Sequence, residues 1–193
     1  MIVNTHLLMS HILYDYLSKR QNIKINKLAF LYGCVKPDIS NADINQEHTL
    51  DSSINSLNKY SEKLLTNNIS IKDFSVSLGV ICHFICDYFC LYHNDEYCLK
   101  NNFQHFLYEI KLHYKFLMLL LMGKLKIENY VHLEQNLIAM ILGFQQKYVL
   151  EEKNLTRDIK YALSSAAAIS EFILCSSEMV PNSSKTLTSE IYP

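Results

Sequence analysis

Glycine and proline are scarce in this 193-residue chain, at 4 and 3 residues, and tryptophan is absent. So few turn formers cannot punctuate a many-stranded sandwich or barrel, and they favour long uninterrupted helices. An excess of charge is lacking too. The formal net charge is -1, and no run of lysine or arginine forms the stripe with which proteins hold nucleic-acid phosphates, so no stable nucleic-acid partner is expected. No apolar stretch approaches the roughly 20 residues that a membrane-spanning helix requires. The longest purely apolar run, FLMLLLM at 116–122, reads as a buried helix face. A secretory leader is not expected either, because MIVNTHLLMSHILYDYL places His6, His11 and Asp15 where a leader needs unbroken apolar sequence. The expectation is a cytoplasmic chain.

Hydrophobic residues make up 49% of the sequence, enough for one sizeable core. This predicts a single compact all-α domain over 1–179, with the polar stretch VPNSSKTLTSEIYP at 180–193 as a flexible tail. Six cysteines without an export signal point to reduced thiols. Cys82, Cys86 and Cys90 recur every four residues along one side of a helix, where core packing explains them better than a soft-metal site does.

About seven helices are predicted. Asn4 or Thr5 can cap the first, whose apolar positions run from Leu7 to Leu17. A second covers about 25–35 and is closed by Gly33 and Pro37, which leaves Asp38 and His48 on the polar loop VKPDISNADINQEHT. A third begins at Asp51 or Ser52 and presents Ile54, Leu57, Tyr60 and Leu64 inward. Ser70 with Asp73 resembles a capping box for a fourth that extends to about Tyr92. The remaining helices fall at about 102–122, 128–151 and 156–177.

Two of these helices carry a chemical oddity. The fourth holds HFICDYFCLYH at 83–93, and the fifth holds HFLYE at 105–109. Residues four apart on a helix differ by about 40° in direction, so His83 shares a stripe with Asp87, and His105 with Glu109. Acidic residues are almost never buried unless paired or metal-bound, yet these stand among Phe84, Ile85, Phe89, Phe106, Leu107 and Ile110. No lysine or arginine lies between Phe74 and Leu99 to compensate them. A divalent cation would do so, and imidazole with carboxylate suits zinc. His93, just past the fourth helix, is free to turn back toward His105 and Glu109, making three ligands. The alternative is that each histidine is a core residue with a satisfied hydrogen bond. Di-iron bundles use Glu-x-x-His, and HD-type phosphohydrolases an adjacent His-Asp pair; neither pattern occurs here. Gly79 lies on the ligand stripe, where a side chain could obstruct the cluster or the N-terminal segment.

Taken in order, NTH at 4–6, PD at 37–38, EH at 47–48, HFICDYFCLYH and HFLYE resemble the zinc-dependent phospholipase C family over residues 1 to about 110. That family is similar in fold to the three-zinc single-strand nucleases. The resemblance implies one zinc at Asp38, His48, His83 and Asp87 and a second at His93, His105 and Glu109. A third would be held by His6, the bridging carboxylate of Asp87 and the amine and carbonyl of Met1, so two or three ions are expected. His11, His113 and His132 match nothing in the motif and are read as structural or surface residues. Asp38 is implied as the general base, and a phospholipid-like or small phosphodiester as the substrate. A non-catalytic helical protein that keeps zinc for folding or ligand binding, or a nuclease or phosphatase on the same cluster, stands as the alternative. Secreted members begin with tryptophan, whereas Met1 begins this sequence.

Overall fold

The structure, a computed structural model, describes residues 1–20, 25–40, 57, 60, 61, 64, 69–93, 102–129 and 136–177. Six helices lie among them: α1 Val3–Arg20, α2 Lys27–Ile39, α3 Ile71–Tyr88, α4 Asn102–Leu121, α5 Leu137–Leu150 and α6 Leu155–Ser176. A 3-10 turn, Leu91–His93, follows α3, and no strand occurs among the described residues. The chain is all-α, as its shortage of turn formers predicts. Of the expected third helix, Leu57, Tyr60, Ser61 and Leu64 are helical, with Leu57 and Leu64 buried. His48, His132 and the tail at 180–193 lie outside the described residues.

α3 and α6 form the centre. Along α3 nearly every residue from Phe74 to Tyr88 is buried, against α2 on one side and α6 on the other. On α6 the Ala162 carbonyl and the Ser170 hydroxyl meet Cys86 and Cys82 of α3, and the buried run Ala166, Ala167 and Ala168 lies between them, small side chains of the kind that let helices approach closely. By length and composition α6 could cross a membrane, but most of it is buried inside the protein. It is the core helix of the fold.

The α2–α3 contact is closer still, and glycine is required on both sides of it. A Cβ built on Gly33 would meet the Val76 carbonyl oxygen at 2.2 Å, and one on Gly79 would meet the Phe30 carbonyl oxygen at 2.3 Å. Gly79 therefore clears the backbone of α2 rather than the ligand cluster or the N-terminal segment. Gly33 serves the same contact and does not end its helix. α2 also runs through Pro37 to Ile39, where the Ser40 N–H closes it on the Lys36 carbonyl. A proline in the last turn removes one hydrogen bond, and the packing of α2 on α3 outweighs that loss. Asp38 consequently sits on a helix, not on the expected loop.

Other boundaries moved for local reasons. The Ile2 carbonyl accepts from the Thr5 and His6 amides, so α1 begins before Asn4 and Thr5 could cap it. Thr5 is instead buried, with its hydroxyl 2.9 Å from His113 Nδ1 on α4. Ser70 caps α3 as expected, accepting from the Asp73 N–H and donating to the Asp73 carboxylate at 2.7 Å. α3 stops at Tyr88, short of Tyr92, because i to i+3 bonds from Cys90 to Asp87 and from His93 to Cys90 tighten the chain. Asn136 caps α5, and residues 124–129 are not helical, so that helix starts later than 128. Asn154 caps α6 close to its expected start.

Cys34, Cys82, Cys86 and Cys90 are buried free thiols. Cys82 Sγ lies 3.1 Å from Ser170 Oγ, and burial pushes the Cys86 and Cys90 thiols well above their ordinary pKa. They pack as small hydrophobes. The apolar run 116–122 behaves differently from its expected burial: Phe116 and Leu119 face the core, whereas Met118, Leu121 and Met122 are exposed. Phe106 and Leu107 are exposed as well, so the apolar surroundings expected for Glu109 are only partly present.

Replacing Gly79 by alanine would push α2 and α3 apart, at a cost of about 1–3 kcal/mol for overpacking. Urea unfolding of Gly79→Ala should show a lower midpoint, and an unchanged midpoint would contradict the backbone contact.

Candidate metal centre

The four-residue step on α3 places His83 and Asp87 on successive turns, both without exposed surface. His83 Nδ1 lies 2.9 Å from the Cys34 carbonyl oxygen. A carbonyl can only accept, so Nδ1 carries a proton, and whenever the ring is neutral Nε2 keeps its lone pair. That Nε2 faces Asp87 Oδ2 at 3.3 Å and Asp38 Oδ1 at 3.7 Å. From α1, His6 stacks on His83 with ring centroids 4.0 Å apart and brings its own Nε2 within 3.1 Å of Asp87 Oδ1. Although buried, His6 Nε2 makes no hydrogen bond among the described residues. His6, His83 and Asp87 thus form one trio, with Asp38 at its edge.

The 3-10 turn after α3 swings His93 back over α4, whose four-residue step supplies His105 and Glu109. His93 Nε2 and His105 Nε2 are 3.3 Å apart, and both lie close to Glu109 Oε1, at 3.2 and 3.0 Å. Between the trios stands the first atom of the chain. The Met1 amine is 2.5 Å from Asp87 Oδ1, 3.1 Å from Glu109 Oε1 and 3.2 Å from His93 Nε2. It touches both groups, whereas the resemblance implies a place with His6 and Asp87 alone.

These contacts set the charges. Burial opposes a cation at Met1, but Asp87 and Glu109 overcome it and push the amine pKa from 8.0 up to about 12. Burial likewise opposes the Asp87 carboxylate, and the amine with His93, His6 and His83 holds its pKa well below the ordinary range. Glu109 is held low by its bonds from His105 and His93 against the same burial penalty. Burial lowers the pKa of His93, so its surroundings disfavour a charged ring there.

A support missed in the sequence lies behind the His93 turn. Asp158, buried in the first turn of α6, accepts from the Arg157 guanidinium at 2.8 Å, from Tyr148 at 2.9 Å and from the Tyr108 hydroxyl. Its Oδ2 also takes the Leu91 N–H at 3.3 Å, so one carboxylate ties α5, α4 and the His93 turn to α6. Tyr92 stacks on His105 at 5.5 Å, which completes the brace. The available signal was the charged pair Arg157–Asp158 just inside the Asn154 cap, where an otherwise apolar helix begins.

Both trios fit a metal. Ligand atoms at the vertices of a tetrahedron around zinc, with bonds of about 2.0–2.1 Å, are about 3.3 Å apart. The nitrogen and oxygen atoms of His93, His105 and Glu109 stand at that spacing, and within each trio all ligand atoms lie inside 4.8 Å. His6 Nε2, which makes no hydrogen bond among the described residues, and His83 Nε2 both face Asp87 in a buried space. His6, His83 and Asp87 could hold one ion, and His93, His105 and Glu109 another.

The sequence matches the family described as zinc dependent phospholipase C over residues 5–172. The chain belongs to that family. No curated protein and no solved structure matches it. The phospholipase C match extends from α1 nearly to the end of α6, so it includes the brace on Asp158 as well as both trios. Of the ligands that the motif implies, Met1, His6, Asp38, His83, Asp87, His93, His105 and Glu109 converge here, and His48 lies outside the described residues. His11 is exposed and His113 bonds to Thr5, in keeping with surface and structural roles.

Because the Met1 amine gains its proton affinity in the fold, its pairing stabilises metal-free protein fully below pH 8.0, and this contribution disappears as pH rises toward 12. The melting temperature of metal-free protein should therefore fall more steeply across that alkaline range than that of a form whose N-terminal extension removes the amine from Asp87. Parallel slopes in the two forms would contradict the pairing.

Proposed function

We propose that the chain is a zinc-dependent phosphoesterase that hydrolyses a phosphodiester, in a phospholipid-like or small substrate, with water. The observation that carries this is the pair of trios, His6, His83, Asp87 and His93, His105, Glu109, set side by side with the Met1 amine between them. Zinc bound there supplies Lewis acidity, which offsets the phosphate charge and makes water a better nucleophile near neutral pH.

The chain's own residues divide the remaining work. Asp38 is the proposed general base. Its side chain, at the end of α2, is 16% exposed, whereas those of His83 and Asp87 show no exposed surface, so it stands on the solvent side of the trio. From there Oδ1, 3.7 Å from His83 Nε2, can accept the proton of an incoming water. His105, 30% exposed, is the most open member of the second trio and marks the side from which a phosphate enters. The Cys34 carbonyl fixes the His83 ring, and the Asp158 brace fixes the turn that carries His93, so neither imidazole must reorient when substrate arrives.

The full burial of Asp87 favours one other role, a zinc-stabilised binding protein without turnover. Zinc-loaded protein with its native N-terminus should hydrolyse bis-p-nitrophenyl phosphate or phosphatidylcholine micelles, with single-stranded DNA as the nuclease control. Asp38→Asn should reduce turnover by about 100-fold or more, the scale of a general base, while elemental analysis finds its zinc content retained. Bound zinc with no turnover of any of the three would favour the binding role.

A further inference from the structure

The outward side of α4 is apolar in a way that the core does not explain. At 3.6 residues per turn, Phe106, Leu107, Tyr114, Met118 and Leu121 fall within one sector of about 120°. Their exposure runs from 37% at Leu107 to 87% at Leu121. Leu112, Phe116 and Leu119, on the opposite side, already supply the contact with the core. A helix that packs one apolar face inward and presents a second outward has a surface suited to another apolar phase.

Charge on this segment has one sign. Lys111 and Lys115 lie along one edge of the apolar sector, and Lys124 and Lys126 follow the helix; none makes an ion pair among the described residues. From 102 to 127 the sequence contains one carboxylate, Glu109, and that is turned into the metal centre.

We propose that this face of α4 docks on an anionic lipid bilayer, with the apolar sector entering the boundary between headgroups and acyl chains and the lysines resting against anionic headgroups. A second copy presenting the same face is a poorer occupant, because it would offer these lysines no carboxylate, Glu109 being turned into the metal centre. The proposal rests on the phosphoesterase reading for its use: His105 and Glu109 lie on the inner side of the same helix, so docking holds the centre about one helix diameter, roughly 10 Å, from the headgroups. Binding itself is independent of turnover.

The test is sedimentation of the zinc-loaded full chain with phosphatidylcholine vesicles, with and without phosphatidylglycerol. The protein should sediment with the anionic vesicles, less with neutral ones, and less again at high salt. The double variant Tyr114→Ser and Leu121→Ser alters two well-exposed side chains and should weaken partitioning by about tenfold or more, given the apolar area withdrawn. Its hydrolysis of bis-p-nitrophenyl phosphate should match that of the parent chain. Equal sedimentation of the variant, or a parent chain that stays in the supernatant, would overturn the docking. So would a parent dimer that the variant converts to monomer while neither binds vesicles, since that assigns the face to a second copy. If the phosphoesterase reading fails instead, no form turns over the soluble ester and the sedimentation pattern stands.

Discussion

Asp87 carries a negative charge with no exposed atom, and the arrangement around it makes that charge tolerable. Without compensation a buried carboxylate takes up a proton or costs the fold several kcal/mol. Here the Met1 amine comes up against one oxygen with His6, and His83 against the other, so both sides of the carboxylate are engaged. Met1 and His6 come together from the N-terminal segment, and His83 from α3 itself. The fold thus brings the start of the chain against α3 at this one residue.

Two rigid supports hold those donors in place. On one side the glycine contact lets α2 and α3 touch backbone to backbone, which fixes Asp38 and the Cys34 carbonyl relative to His83. On the other side Asp158 gathers Arg157, Tyr148, Tyr108 and Leu91, which fixes the turn that presents His93. The trios lie between, the first fully buried and the second partly open.

Much of this was legible in the sequence, and the limits have physical causes. The four-residue steps His83 to Asp87 and His105 to Glu109 were readable because helical geometry alone joins them, and His93 followed from the chain reversing after α3. The capping pair Ser70 and Asp73 was local too. Gly33 and Pro37 misled because their usual punctuating role was overridden by packing between α2 and α3, a contact that one-dimensional reading does not contain. For the same reason FLMLLLM gave no hint that α4 is apolar on two sides, since hydrophobicity does not say which neighbour is present. The Asp158 brace joins residues up to 67 apart, and no spacing rule connects them.

One consequence concerns the order of assembly. The Met1 amine meets Asp87 across 86 residues, and Glu109 farther along, so the centre closes only when parts of the chain far apart in sequence have come together. Such distant pairings are entropically late events in folding. Closing the centre at Met1 therefore carries a loop-closure cost that the four-residue steps His83 to Asp87 and His105 to Glu109 do not.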